Sequence, residues 1–141
     1  MDQVVYSSAA AEPFSEARLT ELLARARTNN ERLGVSGMLL YHEGSFLQVL
    51  EGEAAVLAAL FGVISADKRH HRVVALLKRK VDARHFGDWR MGFVSTKHLP
   101  AHLPGYSDYL RLRGDPVAGA NAALQLMAGF REGRLRSFVQ R

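Results

Sequence analysis

Cysteine is absent from the 141-residue chain, which excludes disulfides, thiolate nucleophiles and sulfur-ligated metals together and is compatible with a reducing cytosol. Apolar stretches stay far below the roughly 20 residues that a membrane helix needs. The first residues, Met1-Asp2-Gln3-Val4, lack a basic segment followed by an apolar one, so a cytoplasmic protein with no membrane association is expected. A glycine-rich GxGxxG fingerprint and a convincing nicotinamide site are also missing, which argues against a flavin oxidoreductase. Adjacent histidines exist at His70-His71, but on an extended segment they face opposite ways and no acidic residue has ligand spacing, so no metal is expected. Internal repeats and low-complexity segments are lacking.

What is present suits one globular domain. The chain is 48% hydrophobic with 12 glycines, enough to bury a proper core and too short for a second catalytic domain. Net charge is +5, from 19 basic and 14 acidic residues, and the basic residues gather at Lys78-Arg79-Lys80 and between Arg131 and Arg141. That balance permits an anionic partner without requiring one.

Val4-Val5-Tyr6 is β-prone, and Ser15 is placed to cap a helix in which Leu19, Leu22, Leu23 and Ala26 recur at three- and four-residue spacing. This helix is expected to reach about Thr28, with Asn29, Asn30 and Gly34 ending it. Two β-prone runs, 35–41 and 45–50, flank Gly44 and predict a hairpin. Val56, Leu57, Leu60, Phe61 and Ile64 mark a second amphipathic helix, followed by strands over 73–77 and 89–94. The order β-α-β-β-α-β-β predicts an α+β, ferredoxin-like sheet with both helices on one face. Beyond Val94, Pro100, Pro104 and Gly105 punctuate a connector, and 97–141 is expected to be a helical extension packing on the other face, after a first domain over 1–96.

One residue stands out against this background. Gln48 interrupts the apolar run Phe46-Leu47-Gln48-Val49-Leu50, and a buried amide without partners costs about 1–3 kcal/mol. It requires a specific polar partner on the face it shares with Phe46 and Leu50, and a ligand is one such partner. Other residues have ordinary readings when taken singly. Tyr6 reads as a core aromatic, Asn29-Asn30 as a helix stop, and Trp89 with Met91, two apart on a strand, as core.

Taken together they form a pattern. Tyr6, Asn29-Asn30, Gly34-Val35-Ser36-Gly37-Met38-Leu39-Leu40-Tyr41, Phe46-Leu47-Gln48-Val49-Leu50-Glu51-Gly52, Asp67-Lys68-Arg69-His70 and Trp89-Arg90-Met91-Gly92-Phe93 resemble the BLUF family of flavin-binding blue-light sensors over about residues 2–95. The tail resembles the extension of short stand-alone members. This resemblance implies a non-enzymatic photoreceptor binding FAD, with FMN or riboflavin as alternatives, between the two helices. It further implies that Asn30 meets the O4/N3 edge of the ring with Asn29 beside it, that Arg69 reaches the C2 carbonyl, and that Asp67 and His70 steady that edge. Gln48 would then lie between the Tyr6 hydroxyl and the N5/O4 edge. Tyr6 is implied as electron donor, Gln48 as the amide that rearranges, and Trp89 and Met91 as the pair that passes the change outward. Because an amide offers both a donor and an acceptor, its flipping or tautomerisation alters the hydrogen bond presented to the ring.

Ser36 stands where the family more often has threonine, and Val63 where some members present a basic residue to the nucleotide phosphates, leaving Lys68 and Arg27 as phosphate candidates. The resemblance also implies association into a dimer or larger assembly and a downstream protein partner that reads the tail. The alternative from another class is a basic ferredoxin-like nucleic-acid-binding module, which would need an open sheet face for stacking bases.

Overall fold

The computed structural model describes residues 1–12, 14–42, 44–86 and 90–95. They form β1 (Asp2–Ala10), α1 (Glu16–Leu33), β2 (Ser36–His42), β3 (Ser45–Gly52), α2 (Ala54–Ala66), β4 (His70–Lys80) and β5 (Gly92–Ser95). The sheet order is β4-β1-β3-β2-β5, antiparallel except for the parallel pair β2 and β5. This is the α+β, ferredoxin-like arrangement that the order of periodicities predicts. The expected helical extension over 97–141 and Trp89 lie outside the described residues. No helix among those described is long and apolar enough to cross a membrane.

Alternation along the strands decides which side chains meet the helices. Val4, Tyr6, Leu39, Phe46, Leu50 and Phe93 bury one face against Leu19 and Leu23 of α1 and Leu57 of α2, so both helices cover that face. β1 and β3 pair with Tyr6 opposite Gln48, and β2 places Leu39 on the other side of Gln48. Gly37 allows this close pairing, because a Cβ there would come within 2.1 Å of the Val49 carbonyl oxygen.

Four of the boundaries that differ from the sequence expectation matter here. β1 continues to Ala10 and β4 begins at His70, because ladder pairing of otherwise unremarkable residues extends both strands. β5 starts at Gly92, so Arg90 and Met91, expected in the strand, precede it. The fourth bears on function: α1 runs to Leu33, and Asn29-Asn30 do not end it. Its stop is Gly34, which adopts φ 69 and donates its N–H to the carbonyls of Asn30 and Glu31. Both asparagines are therefore held in the last helical turns, with side chains free for tertiary contacts.

The opposite face is equally dry, with Val5, Met38, Leu40 and Val49 fully buried. Among these aliphatics sits Glu51, whose exposure is 0%. Its Oε1 accepts from the Ser36 hydroxyl at 3.2 Å and the Phe86 N–H at 2.9 Å. Oε2 accepts from the Gln3 amide at 3.0 Å and the His85 N–H at 2.7 Å. Arg84 completes the cluster by donating to Ser36 Oγ, the Glu51 carbonyl and the Gly34 carbonyl at 2.8, 3.1 and 2.6 Å. Ser36 thus uses its hydroxyl in this cluster, behind the sheet.

Candidate flavin site

A cavity of about 280 Å³ opens between α1 and α2 above the sheet. Tyr6, Ser8, Leu39, Phe46, Gln48 and Leu50 form its floor. One wall is the α1 face of Leu22, Arg25, Ala26, Asn29 and Asn30; the other is Leu60, Val63 and Ile64 of α2. Asp67, Arg69 and His70 occupy one end and Met91 also contributes. Every described residue that the resemblance implied as a site residue lines this one space. Its largely apolar walls with a few converging polar groups suit a planar organic ring.

Tyr6 is 2% exposed, and among the described residues no protein group hydrogen-bonds its hydroxyl. Its ring meets Phe61 edge-on with centroids 5.5 Å apart. Burial, with the Asp67 carboxylate second, pushes the phenol well above its usual range, so Tyr6 remains a neutral O–H donor. Gln48 is 8% exposed and donates Nε2 to the Met91 sulfur at 3.4 Å, while Oε1 has no protein donor among the described residues. Two buried polar groups that converge on a cavity without partners match a ligand edge carrying both donors and acceptors.

Asn30 donates Nδ2 to the Arg90 carbonyl at 2.5 Å, and Arg27 donates Nε to the Met91 carbonyl at 2.9 Å. The helix that supplies one cavity wall therefore also grips the backbone just before β5. Arg27 is turned toward that segment, and Lys68 does not line the cavity, so neither is placed as the phosphate contact that its charge suggested.

At the other end Asp67 and Arg69 form a forked pair, with Nε 3.0 Å from each carboxylate oxygen and Nη2 2.5 Å from Oδ2. Of the guanidinium nitrogens, Nη1 is the one not used in this pair. His70 contacts Ser8 Oγ through Nδ1 at 2.9 Å and the Ile64 carbonyl through Nε2 at 2.5 Å. With both nitrogens engaged, it braces β4 against β1 and α2 instead of presenting a free ring nitrogen. Register shifts between β1 and β4, with Arg72 at φ 53, accompany this placement.

The hydrogen bonds from Arg69 hold the Asp67 carboxyl at about 2, below its usual 3.8, overcoming the opposing effect of partial burial. A carboxylate depressed in the folded state stabilises it above the unfolded pKa, and the contribution disappears as pH falls through the folded value. We therefore expect the melting temperature to drop between about pH 4 and pH 2 more steeply in the native protein than in Asp67→Asn. Parallel pH profiles of melting temperature would show that the pair contributes no such linkage.

A family model described as sensors of blue-light using FAD matches residues 1–92. The chain belongs to the BLUF family. The chain is 38% identical over 102 residues to the photoactivated adenylate cyclase subunit alpha of Euglena gracilis, a match covering 71% of the chain and 10% of that protein. The BLUF chain thus corresponds to about a tenth of the length of that curated relative. The dark-state structure of BlrB, a BLUF protein, superposes with a TM-score of 0.76 at 31% identity, covering 91% of this chain and 95% of BlrB. Klebsiella pneumoniae BlrP1 with FMN and cyclic diGMP gives 0.69 at 27% identity over 92% of this chain and 34% of that one.

Serine 8 and Arg25 escaped sequence reasoning, although each carries a spacing signal. Ser8 is two residues from Tyr6 on the same strand face, and Arg25 is one turn before Asn29. Glu51 carried no comparable signal, since an acidic residue at a strand end ordinarily faces water.

Proposed function

We propose that this BLUF chain is a blue-light photoreceptor, not an enzyme, and that it holds FAD or FMN in the cavity between α1 and α2. The observation that carries this reading is the pair of buried groups without protein partners among the described residues, the Tyr6 hydroxyl and Gln48 Oε1, at the floor of that cavity. A bound flavin would supply a chromophore that absorbs blue light and, once excited, accepts an electron. Asn30, Asn29 and the free Nη1 of Arg69 would hold the polar ring edge, while Asp67 and His70 keep Arg69 and β4 in place. Tyr6 is the electron donor. Gln48 exchanges its donor and acceptor positions, which alters its contact with the Met91 sulfur.

Output follows from that contact. Met91 lies immediately before β5 and is also held by Arg27, while neighbouring Arg90 is held by Asn30. A change at Gln48 therefore reaches the start of β5 directly. In this reading 1–96 senses light and 97–141 is the extension through which a second subunit or a partner protein reads the change. Trp89 belongs to the same relay.

The nucleic-acid alternative loses its platform, because the second sheet face presents buried aliphatic side chains such as Val5, Met38 and Val49. The deciding experiment is the absorption spectrum in the dark, under blue light and during dark recovery. We expect a flavin spectrum that shifts to the red and returns; bound flavin with no reversible shift would overturn the photoreceptor reading.

Asn30 supplies a separate test. Asn30→Ala should lower flavin occupancy after purification, because the ring edge loses a buried partner and the Arg90 carbonyl loses a donor. Unchanged occupancy would reduce Asn30 to a clamp on the segment before β5.

A further inference from the structure

We propose that Arg25 forms the phosphate subsite of this cavity and gives it a preference for phosphorylated flavins over riboflavin; the inference rests on the flavin reading above. At about 280 Å³ the cavity lies at the low end of the roughly 300–1,000 Å³ typical of ligand sites. A cavity of this size would hold the ring of a flavin and leave a phosphorylated side chain outside it. Arg25 lines the cavity while its side chain is 68% exposed, which places the guanidinium at that mouth.

The facing wall offers no substitute. From Ala54 to Ala66, α2 carries no charged residue, and Val63 at its rim is 70% exposed. The other arginine lining the cavity among the described residues, Arg69, holds Asp67 through Nε and Nη2 and, in the flavin reading, gives its remaining Nη1 to the ring edge. Arg25 is bound only lightly. Its partner is Glu21, 3.1 Å away and one helical turn earlier, with both side chains largely in water. Such a pair contributes little, and a phosphate accepts a guanidinium fork with more charge and matching geometry. Phosphate binding at the mouth therefore exchanges one weak ion pair for a stronger one.

Riboflavin and FMN differ by this one phosphate, so they separate the subsite from the ring site. The full chain, stripped of flavin, is titrated with each by fluorescence quenching. The native protein should bind FMN roughly three- to tenfold tighter than riboflavin, as expected for a charge-assisted contact partly open to solvent. Arg25→Gln should bring that ratio to about one, and Glu21→Gln should widen it by removing the competitor. Added salt should narrow the ratio in the native protein and in Glu21→Gln, which both keep Arg25, and leave it unchanged in Arg25→Gln. Equal native affinities, a ratio that survives Arg25→Gln, or a ratio lost instead in Arg27→Gln would each overturn the subsite. Failure of the native protein to bind either flavin would overturn the ring site itself.

Discussion

Tyr6→Phe is expected to abolish the reversible red shift under blue light while flavin remains bound. The substitution removes the hydroxyl and almost no volume, so the floor of the cavity and the edge contact with Phe61 persist. Lost are the phenolic electron source and the only O–H that Tyr6 directs at its surroundings. The native hydroxyl has no protein partner among the described residues, so its removal should leave the melting temperature of the flavin-free protein unchanged or slightly raised. That pairing of results distinguishes a photochemical residue from a structural one. A normal light-induced shift in Tyr6→Phe would eliminate Tyr6 as the donor, whereas a large fall in flavin-free stability would show that the hydroxyl has a structural task.

The second large effect is expected behind the sheet. Glu51→Gln preserves shape but replaces one carboxylate oxygen with an NH2 group that, whichever way the amide turns, faces one backbone N–H and one side chain that must reorient to accept from it. Placed at Oε2 it meets the Gln3 amide and the His85 N–H; placed at Oε1 it meets the Ser36 hydroxyl and the Phe86 N–H. Gln3 can turn its own amide, but its Oε1 already accepts from Arg79 Nε at 2.7 Å, so the conflict moves along the cluster. One backbone N–H is orphaned in either orientation and a second group loses its best partner, which implies a loss on the order of 1–4 kcal/mol. Urea unfolding of the native and variant proteins measures this directly. A difference under about 0.5 kcal/mol would mean that the 84–86 segment is anchored by Arg84 alone.

Both residues lie on β1–β3 pairing, and their legibility differs for a reason. Gln48 was conspicuous because strand alternation puts its amide on an apolar face, whereas Tyr6 by itself reads as a core aromatic and became a candidate only through the family resemblance. The two asparagines were legible as functional candidates, although the point where α1 stops was not. Asparagine tolerates left-handed backbone, so local preference placed the end there, while Gly34 adopts that conformation at lower cost five residues after Asn29. Arg27 and Arg25 show the same division. Both are cations on one helix two positions apart, and the roughly 200° between them sends Arg27 to the Met91 carbonyl and Arg25 to the cavity. Composition cannot separate them; the docking of α1 on the sheet does.

By itself the sequence determined the element order, the ferredoxin-like α+β class, the face on which Gln48 lies, and the resemblance to a flavin-binding family through residues spread over six segments. These are consequences of short-range periodicity and of side chains too unusual for their surroundings. Tertiary structure alone decided the partners. The Gln48 amide meets a sulfur 43 residues away, Asn30 a carbonyl 60 residues away, and Glu51 an amide 48 residues away. Each pairing depends on strand register and helix docking, which the summed burial of the whole core sets and no local pattern encodes.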